Sequence, residues 1–338
     1  MAHAPTRTLL ATGLLLALTS TTGCWWLGGG YDGVYFEAED VSLELPDEGF
    51  RGSGIHGDAY TLINETSANV NDWVTDVVEA TGYVIEILNQ YPATDLDGSW
   101  RVYGPVDDRN GKDVAWIVRI GGTDMDTSFE FLIAPRGTTE VDKFDLMAEG
   151  NLVVDDMMRK GDMHIDFDTI EAYPDLDLTL LWTYAGDIDI DFERNVDTGE
   201  KTINIGFDEF VATRIGYLDD DVFSSDETYA FHKAGDGSGS FHLALMGEWD
   251  TYPHTWSGPE QERMQLDMVW TSTNEGRAQG TITEVDGVGD MKFGDLALDE
   301  CFDAAGELTY RELTDAYAND IPGGEYNFGD ATTCAVEI

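Results

Sequence analysis

Basic residues are scarce in this sequence: 18 Lys and Arg stand against 67 Asp and Glu, which gives a formal net charge of −49. A field of that sign repels nucleic-acid phosphates and anionic lipid head groups, so a nucleic-acid partner is excluded. Beyond the N-terminal region, the chain also lacks any apolar run near the roughly 20 residues that a membrane-spanning helix needs. A hydrophobic fraction of 42% and nine tryptophans nevertheless exclude a disordered acidic tail.

Catalytic signatures are missing as well. The sequence has no Gly-x-Ser-x-Gly elbow, no His-Glu-x-x-His motif, no Gly-rich phosphate loop with Lys and no dinucleotide fingerprint. Its acids offer many pairs of the kind that glycoside hydrolysis uses, but among 67 acids no single pair is informative. We therefore expect a non-catalytic protein without an organic cofactor, and a bound calcium ion is the one cofactor left open.

The N-terminal region has the pattern of an export signal. An apolar run behind Arg7 is too short to span a bilayer and ends in small residues, Ser20-Thr21-Thr22-Gly23, before Cys24. This pattern resembles the lipobox of bacterial lipoproteins, although Thr21 stands where that family has Leu. The resemblance implies that residues 1–23 are a signal peptide and that Cys24 carries lipid. An ordinary cleaved signal with an incidental cysteine is the alternative.

The residue after the cysteine bears on where the protein is held. In the sorting rule of bacterial lipoproteins, Asp at this position retains the protein at the inner membrane, so Trp25 resembles the outer-membrane case. We expect a cell-envelope protein attached to the membrane by acyl chains such as palmitate, on the periplasmic face or the cell surface. Residues 24–60 are predicted to be a tether followed by an acidic extended segment. No protein partner is indicated.

If Cys24 carries lipid, two of the three cysteines remain, Cys301 and Cys334. An exported protein meets an oxidising compartment, in which such a pair forms a disulfide. The sequence therefore predicts a bridge that pins a C-terminal segment, residues 301–338, and two free buried thiols are the alternative.

The spacing of apolar residues changes along the mature chain from a helical to an extended period. Over 61–90 apolar residues recur at three- and four-residue steps, which predicts one long helix. From about 97 to 300 the period is two with frequent turn signals, which predicts antiparallel strands. Residues 61–300 are thus expected to be a single mainly β (α+β) domain: a large antiparallel meander or curved half-barrel sheet with the long N-terminal helix packed on it. A short helix is expected over 307–317.

A long helix followed by an antiparallel meander is similar to the half-barrel of the LolA/LolB lipoprotein carriers and of mycobacterial lipid-carrying lipoproteins. The resemblance implies a carrier of a hydrophobic ligand. The concave apolar face of the sheet would hold the acyl chains of that ligand. In the alternative, a structural or ligand-presenting module, the same side chains simply pack against the helix. The apolar candidates for that face are Phe167, Phe192, Phe207, Phe241, Trp249, Met264, Met268 and Trp270.

Carboxylates alternate with apolar residues on two predicted strands and suggest a third function, a calcium-dependent surface protein. Like charges on adjacent strands repel, and calcium prefers 6–8 oxygen ligands; a solvated acidic face is the alternative. His232 and His242 are symmetric about Gly237, so a hairpin centred there would bring both imidazoles together as metal ligands. A shift in register would instead place His232 opposite Ser240. The metal candidates are Asp166, Asp168, Asp187, Asp189, Asp191, His232 and His242.

Overall fold

The chain divides into two units. Unit 1 comprises Met1–Ser42 and Asn71–Arg194, and unit 2 comprises Leu43–Val70 and Asn195–Ile338. The predicted 61–300 domain therefore includes residues of both units. The computed structural model describes residues 36–46, 59–64, 66–68, 71, 74, 78, 81, 85, 88, 92–108, 112–123, 125–173, 182–214, 222–225, 228–247, 262–284, 296–314 and 327–338.

Unit 1 contains an antiparallel meander in which each strand neighbours the next along the chain. The period of two determines which side chains point inwards, so Ile188, Ile190 and Phe192 are buried while the acids between them lie on the other face. The third strand is buried on both faces because Phe144 packs over its second face. The strands are β1 Asp95–Asp97, β2 Trp100–Asp107, β3 Val114–Gly122, β4 Asp126–Pro135, β5 Asp145–Asp155, β6 Met158–Asp166 and β7 Trp182–Asn195.

Unit 2 repeats this antiparallel arrangement. Burial alternates at every residue of its strand Glu262–Trp270, as a sheet with one apolar and one polar face requires. The neighbours in order are β8, β10, β11, β12, β13, β14 and β15, and β9 pairs with β8 and β11. The strands are β8 Lys201–Arg214, β9 Val222–Ser225, β10 Thr228–Lys233, β11 Gly239–Gly247, β12 Glu262–Trp270, β13 Gly276–Glu284, β14 Leu296–Phe302 and β15 Leu308–Thr314.

Helices are few and short among the described residues. They are α1, Ala38–Val41, and α2, Phe167–Glu171, with 3-10 turns at Val141–Lys143 and Ala331–Thr333. Residues 59–64 and 66–68 are also helical, as are the isolated described positions 71, 74, 78, 81, 85 and 88. A continuous long helix over 61–90 is not shown, because the positions between these lie outside the described residues. No described helix is long and apolar enough to span a membrane.

The mainly β class and the antiparallel meander are confirmed, while three local expectations are corrected. Leu308–Thr314 is a strand and not part of a helix, because its backbone pairs antiparallel with β14. Phe167 is buried but begins α2 instead of continuing β6, because Asp166 caps a helix there. Residues 36–46, expected within an extended segment, include α1, and five of these eleven residues are buried.

Candidate functional site

The polar face of unit 1 carries a hydrogen-bonded row of side chains across three strands. Ser128, Asn151 and Asp162 lie directly opposite one another on β4, β5 and β6. Ser128 Oγ donates to Asn151 Oδ1 at 2.7 Å, and Asn151 Nδ2 donates to Asp162 Oδ2 at 3.0 Å. This row displays donors and acceptors to solvent on a rigid sheet, as a surface that binds a polar ligand requires.

Two predicted carboxylates of β7 join the same face. Asp189 Oδ1 lies 2.8 Å from Nδ1 of His164 on β6. Partial burial raises the pKa of Asp191 above its ordinary value of 3.8, and repulsion from Asp162 and Asp189 raises it further. Several carboxylates therefore lie close to one another on this polar face.

Substitution of Asp191 with Asn is expected to stabilise the protein slightly at neutral pH. A folded-state pKa above the unfolded value means that ionised Asp191 opposes folding, so the gain is present above the folded pKa and disappears below about pH 3.8. Like charges on adjacent strands cost about 0.2–1 kcal/mol, and added salt should shrink the gain. Thermal melts at several pH values measure it. Asp142→Asn, on an exposed turn, is the control; an equal gain there would contradict the explanation.

Asp166 and Asp168 are occupied by structural hydrogen bonds. Asp166 caps α2, accepting from the backbone N–H of Thr169 at 2.7 Å and from its Oγ1 at 2.7 Å. Asp168 Oδ1 accepts from the N–H of Gly186 at 2.8 Å. Asp187 is half-buried on β7. Among the described residues no group of three or more His, Cys, Asp and Glu is placed to hold a metal ion.

The two imidazoles proposed as joint metal ligands do not face one another. In the β10–β11 hairpin His232 lies opposite Ser240, and His242 lies opposite Ala230. The hairpin is therefore centred on Asp236 and not on Gly237, and this offset moves the imidazoles apart along the strands. His232 Nδ1 lies 3.0 Å from Thr202 Oγ1, and His242 Nδ1 lies 2.6 Å from Asp267 Oδ1.

The apolar candidates of unit 1 are covered by the protein's own chain. Phe36, itself buried, packs edge-on against Phe192 and Phe129, with ring centroids 6.0 and 5.6 Å apart. Phe167 packs against Tyr184 with centroids 5.3 Å apart. Phe192 and Phe167 are therefore core residues, and the entry segment, residues 36–46, helps to bury Phe192.

The apolar candidates of unit 2 are likewise core residues where the structure describes them. Phe241, Met264, Met268 and Trp270 are buried, and Phe207 is half-buried. Trp249 lies outside the described residues.

Helical residues near the start of unit 2 contact the apolar side of its sheet. The ring of Tyr60 lies 5.0 Å from that of Phe302 on β14. A methyl group added at Gly280 on β13 would be 3.9 Å from Cβ of Ala59, so the helix and the sheet are in close contact. The inner side of this sheet is therefore partly occupied by the protein itself.

A buried carboxylate fastens the entry segment to unit 1. Asp40 is fully buried and accepts two hydrogen bonds from Arg159, Nε to Oδ1 at 2.7 Å and Nη2 to Oδ2 at 2.8 Å. Arg194 Nη1 adds a contact at 3.2 Å. Burial opposes the charge of Arg159, but the hydrogen bonds and charge of Asp40 outweigh it and raise the pKa of Arg159. Glu37, half-exposed, contacts both arginines.

A similar pairing fastens the entry segment within unit 2. Glu44 contacts Lys233 on β10 and lies 3.6 Å from Nζ of Lys201 on β8. The hydrogen bond from Lys233 is the main cause that lowers the pKa of Glu44. Because Lys201 is buried, its charge requires such a partner.

A second buried carboxylate contacts the first described helical residues of unit 2. Glu300 Oε2 accepts from the backbone N–H groups of Ala59 at 2.9 Å and Tyr60 at 3.4 Å, and Oε1 accepts from Arg311 Nε at 2.8 Å. First-turn N–H groups have no partner within a helix, so the carboxylate supplies one. Sequence reasoning singled out neither Glu300 nor Asp40, since nothing in a chain this acidic marks an individual acid.

The predicted disulfide between Cys301 and Cys334 is confirmed, with Cα atoms 5.6 Å apart. The second cysteine ends a segment, residues 327–334, that we call the strap. Cys24 lies outside the described residues, so its lipidation stays a prediction.

Among the described residues, the strap is joined to β15 mainly by hydrogen bonds. Four hydrogen bonds join it to this strand, two between the backbones of Phe328 and Arg311 and two between the side chain of Asn327 and the backbone of Leu313. Such bonds contribute about 0.5–1.5 kcal/mol each, whereas ordering one residue's backbone costs about 1–2 kcal/mol. Because nearly all strap residues are exposed, apolar burial adds little, and the disulfide is the main constraint.

Comparison of the chain with protein-family models, with curated proteins and with solved structures found no match.

Proposed function

We propose that this chain is a lipid-anchored, non-catalytic protein of the cell envelope, of structural or ligand-presenting type. One observation carries the proposal: Phe192, an apolar candidate of unit 1, is packed against Phe36 of the entry segment, while the polar row of the same sheet is exposed. A sheet arranged in this way presents carboxylates, amides and imidazoles outwards. Its partners are then polar or cationic ligands, which suits the strongly acidic composition.

The attachment to a membrane would depend on Cys24. Phe36, the first described residue of unit 1, lies twelve positions after it. An extended chain of that length spans at most about 40 Å, so the lipid would hold the folded units close to the membrane surface. We propose the outer membrane, because Trp25 and not Asp follows the cysteine.

A carrier of hydrophobic ligands, by resemblance to the LolA/LolB proteins, is the alternative. A carrier must expose its apolar face to the ligand. In unit 1 this would require Phe36 to leave Phe192, and Asp40 with it to leave Arg159. Removing one partner of a buried ion pair costs about 3–5 kcal/mol, so the geometry favours the non-carrier proposal.

Replacement of Cys24 by Ser is expected to move the protein from the membrane to the soluble fraction of the cell envelope. Because lipoprotein cleavage needs the cysteine, residues 1–23 are exchanged in this variant for an ordinary cleavable export signal. Mass spectrometry of the unsubstituted protein should find an acylated N-terminal Cys24 peptide. Ser20→Ala keeps the cysteine and small residues before it, and should stay membrane-bound. An unmodified Cys24 peptide, or retention of the Cys24→Ser variant on membranes, would refute the anchor.

A further inference from the structure

The outer edge of β15 is covered by the strap. β15 pairs with β14 on one side. On the other side Arg311 N–H donates to Phe328 O at 2.9 Å, Phe328 N–H donates to Arg311 O at 3.0 Å, and Leu313 N–H donates to Asn327 Oδ1 at 2.8 Å. An exposed strand edge is a template for another strand, so these contacts keep the edge of β15 from pairing elsewhere.

The edge strand of unit 1 is protected in a different way. β1 is only three residues long and carries the exposed acids Asp95 and Asp97. Shortness and charge protect such an edge without a cover. β15 is seven residues long, and the outward backbone groups of Arg311 and Leu313 are met by the strap. Its protection therefore depends on whatever keeps the strap in place.

We infer that the strap is a redox-sensitive guard of β15, locked by the Cys301–Cys334 disulfide and released by a dithiol reductant. One thiolate of the dithiol attacks a disulfide sulfur and forms a mixed disulfide, and its second thiol then displaces the other cysteine. Two electrons and two protons pass to Cys301 and Cys334, and the dithiol becomes a disulfide. Cys301 is buried on β14 while Cys334 is half-buried, so Cys334 is the more accessible sulfur.

Release follows because, within the described part of the chain, the strap is joined to β15 mainly by the four hydrogen bonds given above. Once the strap lifts, water replaces these bonds. Gly329 also lets the strap backbone pass close to β15: its φ is +81°, and a Cβ there would collide with the carbonyl oxygen of Thr309. Opening then exposes the N–H and C=O of Arg311 and the N–H of Leu313, a donor–acceptor edge suited to an added extended strand.

Amide hydrogen exchange on the full chain, with and without dithiothreitol, tests the guard. Reduction should speed exchange at Arg311 and Leu313 by tenfold or more. Glu312 is the internal control, because alternation along the strand directs its N–H towards β14. Unchanged protection at Arg311 after reduction overturns the proposal. Equal loss at Glu312 also overturns it, since that result reports loss of the β14–β15 pair and not release of the strap.

Two variants distinguish release of the strap from other effects of the reductant. Cys334→Ser should show fast exchange at Arg311 without any reductant. Gly329→Ala should also speed exchange at Arg311, but less than Cys334→Ser does, because the added methyl group collides with β15 while the intact disulfide still holds the strap. Gly137→Ala is the matched control: its φ is +82°, but no described atom lies within 4 Å of the added Cβ. Protection at Arg311 in Cys334→Ser, or equal exchange in the two glycine variants, would contradict the guard.

Discussion

Replacing Asp40 with Ala is expected to lower the free energy of unfolding by about 3–5 kcal/mol, because the change removes the buried carboxylate that accepts two hydrogen bonds from the buried Arg159. The side chain of Arg159 is 9% exposed and gives two hydrogen bonds to a carboxylate that is 0% exposed. Water cannot replace that carboxylate. Since a folded domain is stabilised by only about 5–15 kcal/mol, the loss is a large part of the total. Urea unfolding followed by circular dichroism measures it.

Glu37 provides the matched control for Asp40. It is half-exposed and contacts the same two arginines, Arg159 and Arg194. Exposed ion pairs are worth about 0–1 kcal/mol, so Glu37→Ala should cost less than about 1 kcal/mol. Asp40→Asn, which keeps the shape and removes the charge, should resemble the alanine variant. A loss in Asp40→Ala no larger than in Glu37→Ala would show that the buried pair does not fasten the entry segment.

Replacing Glu300 with Ala is expected to have an effect of similar size, about 3–5 kcal/mol. The change removes the carboxylate that accepts from the buried Arg311 and from the N–H groups of Ala59 and Tyr60. Unfilled N–H groups at a helix start are costly when buried. Urea unfolding gives the total, and exchange at Ala59 and Tyr60 should quicken.

Glu312 is the control for Glu300. It is exposed on the neighbouring strand and accepts a hydrogen bond from Tyr310 at 2.6 Å. Glu312→Ala should cost less than about 1 kcal/mol. A coupling energy near zero between Glu300→Ala and Arg311→Ala in a double-mutant cycle would contradict a direct pair.

The alternation of apolar and polar residues predicts from the sequence which face of a strand each side chain lies on. It does not predict the pairing register, which depends on the residue at the centre of each turn. Ile188, Ile190 and Phe192 are buried as their spacing indicates. The opposition of His232 and His242 was wrong, because a hairpin centre displaced by one residue shifts the pairing by two. Side-chain alternation reports the face of a residue but not its partner.

The sequence does not indicate which of its many acids form buried ion pairs, but the positions of the basic residues do. Arg159 has the same parity in β6 as the buried Met163 and Ile165, which places it on the apolar face. Lys201 is likewise in step with Ile203 on β8. A cation on an apolar face needs a carboxylate nearby. The chain has 18 basic residues and 67 acidic ones. A basic residue on an apolar face therefore predicts a buried ion pair better than any individual acid does.

We propose that the protein's own chain covers the inner faces of the sheets at the described contacts and that the outer faces serve polar partners. Native mass spectrometry of the soluble Cys24→Ser chain tests this most directly. The account predicts the mass of the mature polypeptide alone, both as purified and after incubation with fatty acid or phospholipid. A lipid bound at one copy per chain, lost when the apolar face is altered by Phe192→Asp in a variant that remains folded, would contradict the claim and establish the carrier function instead.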